Sequence, residues 1–339
     1  MLVQTSGVDD PRDELLRDWV ADHYPGFQIS VASADASFRR YFRLERGAES
    51  FILMDAPPEH QDCRPFIHAA SRLLELGLNV PRVLQTDLEH GLLVLTDFGD
   101  CSYLRALSQD TADTLYDAAL RSLLILQSEG RDPGAFPPYD RPFLMRELRI
   151  FDQWFLDRHL ALSLPSHQRD LLEQVYQWLC DKALEQPRVW VHRDFHSRNL
   201  MVCGAQTPGV LDFQDAVIGP ISYDPVSLLR DCYIAWPVER VEAWSQGHRR
   251  RLVAAGALDP GIDQPTWNEW FDCMGVQRHL KAIGIFARLW HRDGKPGYLK
   301  DIPRTLGYVW SASARHPALT PLTSILEQHV ADRVGTLPR

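Results

Sequence analysis

Lysine is scarce in this 339-residue chain. Only Lys182, Lys281, Lys295 and Lys300 are present, and every basic side chain before Lys182 is an arginine or a histidine. That excludes any job for a lysine ammonium in the first half of the protein. The six cysteines, Cys63, Cys101, Cys180, Cys203, Cys232 and Cys273, are scattered, with no CxxC pair and no zinc-like spacing. They read as reduced thiols of a cytoplasmic protein rather than a disulfide or zinc framework. No apolar run approaches membrane-spanning length. The N-terminal "MLVQTSGVDDPRDELLRDWV" lacks the basic start and apolar stretch of a signal peptide. Positive charge is also in deficit: the net charge of −9 argues against a general nucleic-acid or anionic-membrane binder. Repeats and low-complexity tracts are missing too. Nothing in the composition speaks to protein partners.

What is present is a globular composition, 45% hydrophobic and 24% charged, at a length suiting one large two-lobed domain or two modest ones. Residues 11 to 24 carry apolar residues at helical spacing. The period then shortens to that of strands in "FQISVAS", "YFRLERG" and "SFILMDA". A helix from Pro65 to Leu76 follows, with Gly77 as its stop, and then two strands, "PRVLQTD" and "GLLVLTDFGD". Beyond Ser102 helices predominate, expected over Thr111–Gln127, Phe143–Leu160, Gln168–Ala183, Pro225–Ile234, Val238–Ala255 and Trp267–Trp290. One strand-like patch, "RVWVH", "NLMVC" and "GVLDFQD", interrupts them. The expected fold class is α+β: a small antiparallel β-sheet lobe with one inserted helix over residues 1–95, a hinge over 96–101, and a large mainly helical lobe carrying a β-hairpin over 102–339.

Between the first two strands of that patch lies "HRDFHSRN", His192 to Asn199, and the third carries Asp212 in "LDFQD". Phosphoryl transfer needs an acid, an amide and a second acid in this pattern. Asp194 would orient the acceptor hydroxyl and take its proton. Asn199 and Asp212, side by side at the mouth of a hairpin, would hold Mg²⁺ through hard oxygens. His192 and His196 also spell H-x-D-x-H with Asp194, a pattern open to a metal-dependent hydrolase. That reading leaves Asn199 and Asp212 without work, so both histidines are expected to be structural. Asp224, before Pro225, suits a helix cap. The role of Asp215 stays open.

"HRDFHSRN" followed by "LDFQDAVIGPISYDPVSLL" resembles the aminoglycoside phosphotransferase/choline kinase family, relatives of the protein kinases, through Asp224. The resemblance implies a two-lobed protein-kinase-like fold, ATP as phosphoryl donor, and a bracing role for Asp224 beneath the catalytic loop. "DASFRRYFRL", "FILMDAPPE", "LRDCYIAWP" and "QRHLKAIGIFARLWHRDGKPGYLKDIPR" resemble a branch acting on amino sugars. That implies phosphorylation of the anomeric hydroxyl of N-acetylmuramate and N-acetylglucosamine, giving a sugar 1-phosphate for cell-wall recycling. The partners implied are a small sugar and ATP. The adenine is then expected at the hinge, on the backbone of Leu95, Thr96, Asp97 and Phe98.

One departure from the family pattern follows from the missing lysines. Kinase-like folds carry a lysine on the third strand of the small lobe, paired with a helix glutamate. Here Met54 stands at about that position, and the interior of the Pro65–Leu74 helix has no glutamate. Ser37, Arg39, Arg40 and Arg43 on the turn before and into the second strand are the expected phosphate contacts, arginine being a permanently charged fork. The alternative is an arginine-rich exposed strand edge. For the sugar, Tyr223, Arg230, Tyr233, Trp236 and Arg278 are candidate pocket residues, with Trp154 and Lys281 also on suitable helices. Rival functions are the same chemistry on an aminoglycoside, choline or homoserine, the hydrolase, and a catalytically silent nucleotide-binding module. A protein kinase is disfavoured by the missing glycine-rich loop and A-P-E segment.

Overall fold

A computed structural model describes residues 11–33 and 39–334. They form two compact units, one drawn from the chain up to residue 71 and residues 80–99, the other from 72–79 and 100 onward.

The first unit begins with helix α1 (Pro11–His23) and continues with strands β1 (Gln28–Ser33), β2 (Arg40–Arg46) and β3 (Glu49–Asp55). Helix α2 (Arg64–Glu75) is followed by strands β4 (Val83–Asp87) and β5 (Leu92–Thr96). The sheet is antiparallel throughout, in the order β1-β2-β3-β5-β4. Period-2 alternation sends Leu44, Leu53, Leu92 and Val94 to one face, where they form a core with Leu16, Trp19 and Val20 of α1. Each such fully buried side chain contributes roughly 1.5–3 kcal/mol. Met54, next to Leu53 and fully buried, points to the other face.

The second unit is mainly helical. Its elements are α3 (Tyr103–Ala106), α4 (Ala112–Glu129), α5 (Arg141–Ile150), α6 (Ser166–Leu184), α7 (Tyr223–Leu229), α8 (Val238–Ala254), α9 (Gln264–Asp293), α10 (Ile302–Ser313) and α11 (Thr320–His329). The 30-residue α9 is its axis. Asp263 caps its start by accepting the Thr266 N–H at 2.9 Å, and Gly294, in the left-handed region at φ 66°, ends it. α9 is buried on nearly every side, as its apolar run predicts, and packs against α5, α6, α7 and α10. None of the helices among the described residues is long and apolar enough to cross a membrane.

Three sequence expectations change. Phe143–Leu160 is not one α-helix: α5 stops at Ile150 and Phe151–His159 winds as a π-helix. Its cause is visible in α9. A Cβ on Gly284 would lie 2.5 Å from the carbonyl carbon and oxygen of Ile150, so the two backbones touch where the winding changes. The helix expected over Pro225–Ile234 runs only from Tyr223 to Leu229. The strand expected to reach Asp212 is just β8 (Gly209–Val210), and a further strand, β9 (Val217–Pro220), follows.

Those short strands set the site. β6 (Arg188–Val191) pairs antiparallel with β9, Val191 facing Val217. β7 (Leu200–Met201) pairs with β8, Leu200 facing Val210. Both connectors, 192–199 and 211–216, therefore leave the same ends of the two ladders and lie together.

Candidate active site

The loop from His192 to Asn199 is held from below by two buried carboxylates. Asp224 accepts the backbone N–H groups of His192 at 2.7 Å and Arg193 at 3.0 Å. Asp231 accepts those of Ser197 at 2.9 Å and Tyr233 at 2.8 Å. Buried backbone donors need partners, and the three in the loop are satisfied by side chains because the loop has no ladder, while the Tyr233 N–H closes a local turn on Asp231. Asp224 is not the cap of α7, which starts after Ser222; it sits in the first turn and serves the loop.

The three residues singled out by spacing come together. The side-chain amide of Asn199 donates to the backbone carbonyl of Asp194 at 3.0 Å and to Oδ2 of Asp212 at 3.3 Å. With its nitrogen so used, Asn199 presents Oδ1 as a donor atom beside the Asp212 carboxylate. Asp212 Oδ1 also accepts from Gln214 Nε2 at 2.7 Å. Arg193 and Asp212 adopt φ of 77° and 64°, a region costly for residues with a Cβ. Two such residues in facing loops mark a geometry imposed by the surroundings. At Arg193 the twist lets the N–H reach Asp224 while the guanidinium turns to Glu147.

Electrostatics separate the acids. Burial opposes ionisation of Asp194, but Lys281 foremost among the nearby cations, with Arg193 and Arg278, outweighs it and holds the carboxyl at about 2. Asp224 goes the other way: burial dominates its two N–H donors and pushes it up to about 7, with the Asp194 charge adding to the rise. His192 is pushed down to about 4 by burial and stays neutral, its Nδ1 accepting the Asp194 N–H at 3.2 Å. His196, also lowered by burial, packs edge-on against Tyr233 with centroids 5.3 Å apart. His192, Asp194 and His196 do not converge on one point, and among the described residues no three His, Cys, Asp or Glu side chains are grouped to hold a metal.

Glu147 and Asp231 carry much of this arrangement, and neither was singled out from sequence. Oε1 of Glu147 receives Arg193 Nη2 at 2.5 Å and Lys281 Nζ at 2.8 Å, and Oε2 receives the Tyr139 hydroxyl. Lys281 also donates to the Tyr223 hydroxyl at 3.1 Å. Asp231 follows Arg230 in the mostly apolar "SLLRDCYI", where an acid is less expected than on a solvent-facing turn.

The expected pocket residues are distributed over several places. Tyr223 and Arg278 are buried beneath the loop, Arg278 donating toward Cys232 Sγ at 3.7 Å. Tyr233 lies against His196. Arg230 is ion-paired with Asp272 at 2.6 Å, and Trp236 donates to the Tyr116 hydroxyl at 2.8 Å. These last two line a separate cavity of about 260 Å³. A larger one, about 660 Å³, opens beside Arg193 and is lined by Glu147, Trp154, Lys281 and Arg288.

In the first unit, Arg40 is bound to Asp55 at 2.7 Å and Asp13 at 2.6 Å. Arg43 holds Asp97 through Nε at 2.6 Å and Nη2 at 3.1 Å. Arg39 is half-buried, and Ser37 lies outside the described residues. Leu95 and Thr96 complete β5, and the Asp97 carboxylate further accepts the Gly99 N–H at 2.8 Å and the Ser50 hydroxyl. Phe98 follows on the same loop.

The model of the phosphotransferase enzyme family matches residues 28–260. An N-acetylmuramate/N-acetylglucosamine kinase of Pseudomonas aeruginosa is 44% identical over 333 residues, covering 94% of this chain and 97% of its own. A protein of the same name from Neisseria meningitidis is 42% identical, covering 94% and 96%. Among solved structures, an ethanolamine kinase of Plasmodium vivax superposes with a TM-score of 0.63 at 10% identity, covering 90% of this chain and 96% of its own. The ADP-bound aminoglycoside phosphotransferase APH(2″)-Ib does so with 0.57 at 15%, covering 89% and 98%. These two share the fold.

Proposed function

Because the chain belongs to the phosphotransferase enzyme family, we propose that it transfers the γ-phosphoryl group of ATP to the anomeric hydroxyl of N-acetylmuramate and N-acetylglucosamine. The products are the sugar 1-phosphate and ADP, and the setting is cytoplasmic recycling of cell-wall sugars. The observation that carries the chemistry is the meeting of Asp194, Asn199 and Asp212 on two facing loops. The names of the relatives, each covering more than nine-tenths of this chain, support the sugar. Six cysteines without a disulfide are in keeping with the compartment.

Asp194 accepts a hydrogen bond from the anomeric hydroxyl, and this turns a lone pair of the hydroxyl oxygen toward phosphorus. A carboxylate held near 2 is a weak base. It therefore orients the hydroxyl first and takes the proton only as the new O–P bond acidifies it, as a loose phosphoryl transition state allows. Lys281, Arg193 and Arg278 keep Asp194 charged until that transfer. Asn199 Oδ1 and the Asp212 carboxylate are a hard-oxygen pair suited to Mg²⁺, which when bound neutralises the nucleotide phosphates. In the first unit, Arg39, Arg40 and Arg43 are the arginines we assign to the phosphates, Arg40 and Arg43 sharing their charge with Asp55, Asp13 and Asp97, with the backbone of residues 95–98 beside the adenine.

The test is ATP consumption with Mg²⁺ against N-acetylmuramate, N-acetylglucosamine, their 1-O-methyl glycosides, choline and an aminoglycoside. Turnover with the free sugars but not the glycosides is expected, with loss on chelation and recovery on Mg²⁺ addition. Turnover with choline or the aminoglycoside alone would replace the substrate.

A further inference from the structure

The 660 Å³ cavity beside the catalytic loop is strongly cationic. Arg146, Arg149, Arg193, Lys281 and Arg288 line it against a single carboxylate, Glu147. That carboxylate is already taken up by Arg193 and Lys281. Arg149 faces Glu173 at 3.3 Å. Arg146 stacks on Phe143 with its guanidinium 4.5 Å from the ring centre. Among the described residues no carboxylate makes a direct ion pair with Arg146 or Arg288, Asp293 acting on Arg288 only from a distance, and the Nε of Arg288 is buried with no hydrogen-bond partner. An arginine in that condition is short of one acceptor, and a pocket with this charge excess selects an anion.

Arg288 stands two turns beyond Lys281 on α9, about 10 Å along one face. Lys281 is the foremost cation acting on Asp194. Arg193, which adjoins Asp194 in the catalytic loop, lines the same cavity, which therefore runs from beside that loop to a cationic wall at Arg288, with the half-buried Trp154 of the π-helix offering a ring face for the sugar. The two sugars named for the relatives differ in one charged group: N-acetylmuramate bears a lactyl carboxylate on the ring and N-acetylglucosamine a hydroxyl. A guanidinium fork matches a carboxylate bidentately.

Resting on the sugar-kinase reading above, we propose that Arg288, assisted by Arg146, is the specificity-determining clamp for the lactyl carboxylate. It sets the preference for N-acetylmuramate without touching the reaction shared by both sugars.

Steady-state kinetics of the full chain on both sugars, for wild type, Arg288→Gln and Arg146→Gln, test this. Arg288→Gln is expected to raise KM for N-acetylmuramate about 10- to 100-fold, as loss of a charged hydrogen bond does, with kcat and the N-acetylglucosamine constants essentially unchanged. Arg146→Gln should do the same more weakly. The methyl ester of N-acetylmuramate adds an independent arm. Wild type should lose the same factor on the ester, and Arg288→Gln should treat acid and ester alike. Unchanged N-acetylglucosamine turnover certifies that the variants fold. Equal losses on both sugars, or no loss on either in both variants, overturn the clamp and leave the kinase standing. Wild type inert toward both sugars overturns the kinase reading itself, and the clamp with it.

Discussion

Asp194 belongs to the loop whose His192 and Arg193 N–H groups Asp224 accepts, and the two carboxyls are driven apart, to about 2 and about 7. The first is exposed to cations, the second is sealed under two N–H groups, and the charge of Asp194 helps raise Asp224. Near neutral pH a single added proton therefore goes to Asp224. Protonation gives up part of the acceptor capacity that ties down His192 and Arg193, so the acid limb of kcat/KM is expected near 7. Asp224→Asn, which cannot titrate, should flatten that limb at a lower plateau; a pH–rate profile of both proteins decides.

The same two acids set the pH dependence of stability. Asp224, raised in the folded state, binds a proton that the unfolded chain has already released between about pH 4 and 7. Its contribution therefore falls as pH rises through that window. Asp194, lowered in the folded state, contributes above the unfolded value and loses that contribution as pH drops from about 4 toward 2. Denaturant melts at pH 5, 6 and 7 should show wild type losing stability relative to Asp224→Asn as pH climbs.

Asp194→Asn is expected to lower kcat by about a thousandfold, the scale of a lost proton acceptor, while nucleotide affinity changes little and the fold is kept at a somewhat lower melting temperature, the stabilising charge being lost. Single-turnover phosphoryl transfer and nucleotide titration measure both. Retention of most activity would remove Asp194 from the mechanism.

Glu147→Gln strips the counter-charge from Arg193 and Lys281 together. Leaving buried cations uncompensated costs roughly 3–5 kcal/mol, so a marked drop in denaturation midpoint is expected. With two cations released toward Asp194, its carboxylate becomes a still weaker base, and kcat should fall as well.

Gly284→Ala places a Cβ 2.5 Å from the Ile150 carbonyl and 2.7 Å from the Phe151 nitrogen, all backbone atoms that must move. Overpacking of this kind costs about 1–3 kcal/mol. Because the strain falls where the π-helix begins, Trp154 shifts with it, and KM for the sugar should rise more than kcat falls.

The small sheet was readable from short β-branched and apolar runs separated by turns: Leu44, Leu53, Leu92 and Val94 of β2, β3 and β5 meet α1 on one face, while Met54, Leu93 and Leu95 are buried on the other. Asp194, Asn199 and Asp212 were readable because their spacing has few other uses. Other features were silent for physical reasons. β9 is four buried residues with no polar alternation. The π-helix keeps a helical apolar rhythm, and Gly284, 134 positions beyond Ile150, reveals the close approach at which the winding changes. Glu147 looks like any helix-surface acid until Arg193 and Lys281 are folded onto it. Helices α10 and α11 lie beyond the last expected helix, which ends at Trp290, and each begins with a proline in its first turn that breaks the apolar rhythm. Arg230 and Trp236 were plausible by proximity in sequence to the loop, yet α7 ends at Leu229 and the chain leads them to another cavity.

Met54 is fully buried between Tyr41 and Leu93 in register, on the strand where kinase relatives place an amine. Reagents that tag nucleotide sites by acylating that amine have nothing to acylate in the first unit. In the second, Lys281 is sealed against Glu147, so the native protein offers such a probe only Lys182, Lys295 and Lys300. A survey of phosphotransferases built on amine capture would pass over this enzyme while it was fully active, and an endoproteinase specific for lysine would release its first 182 residues in one piece.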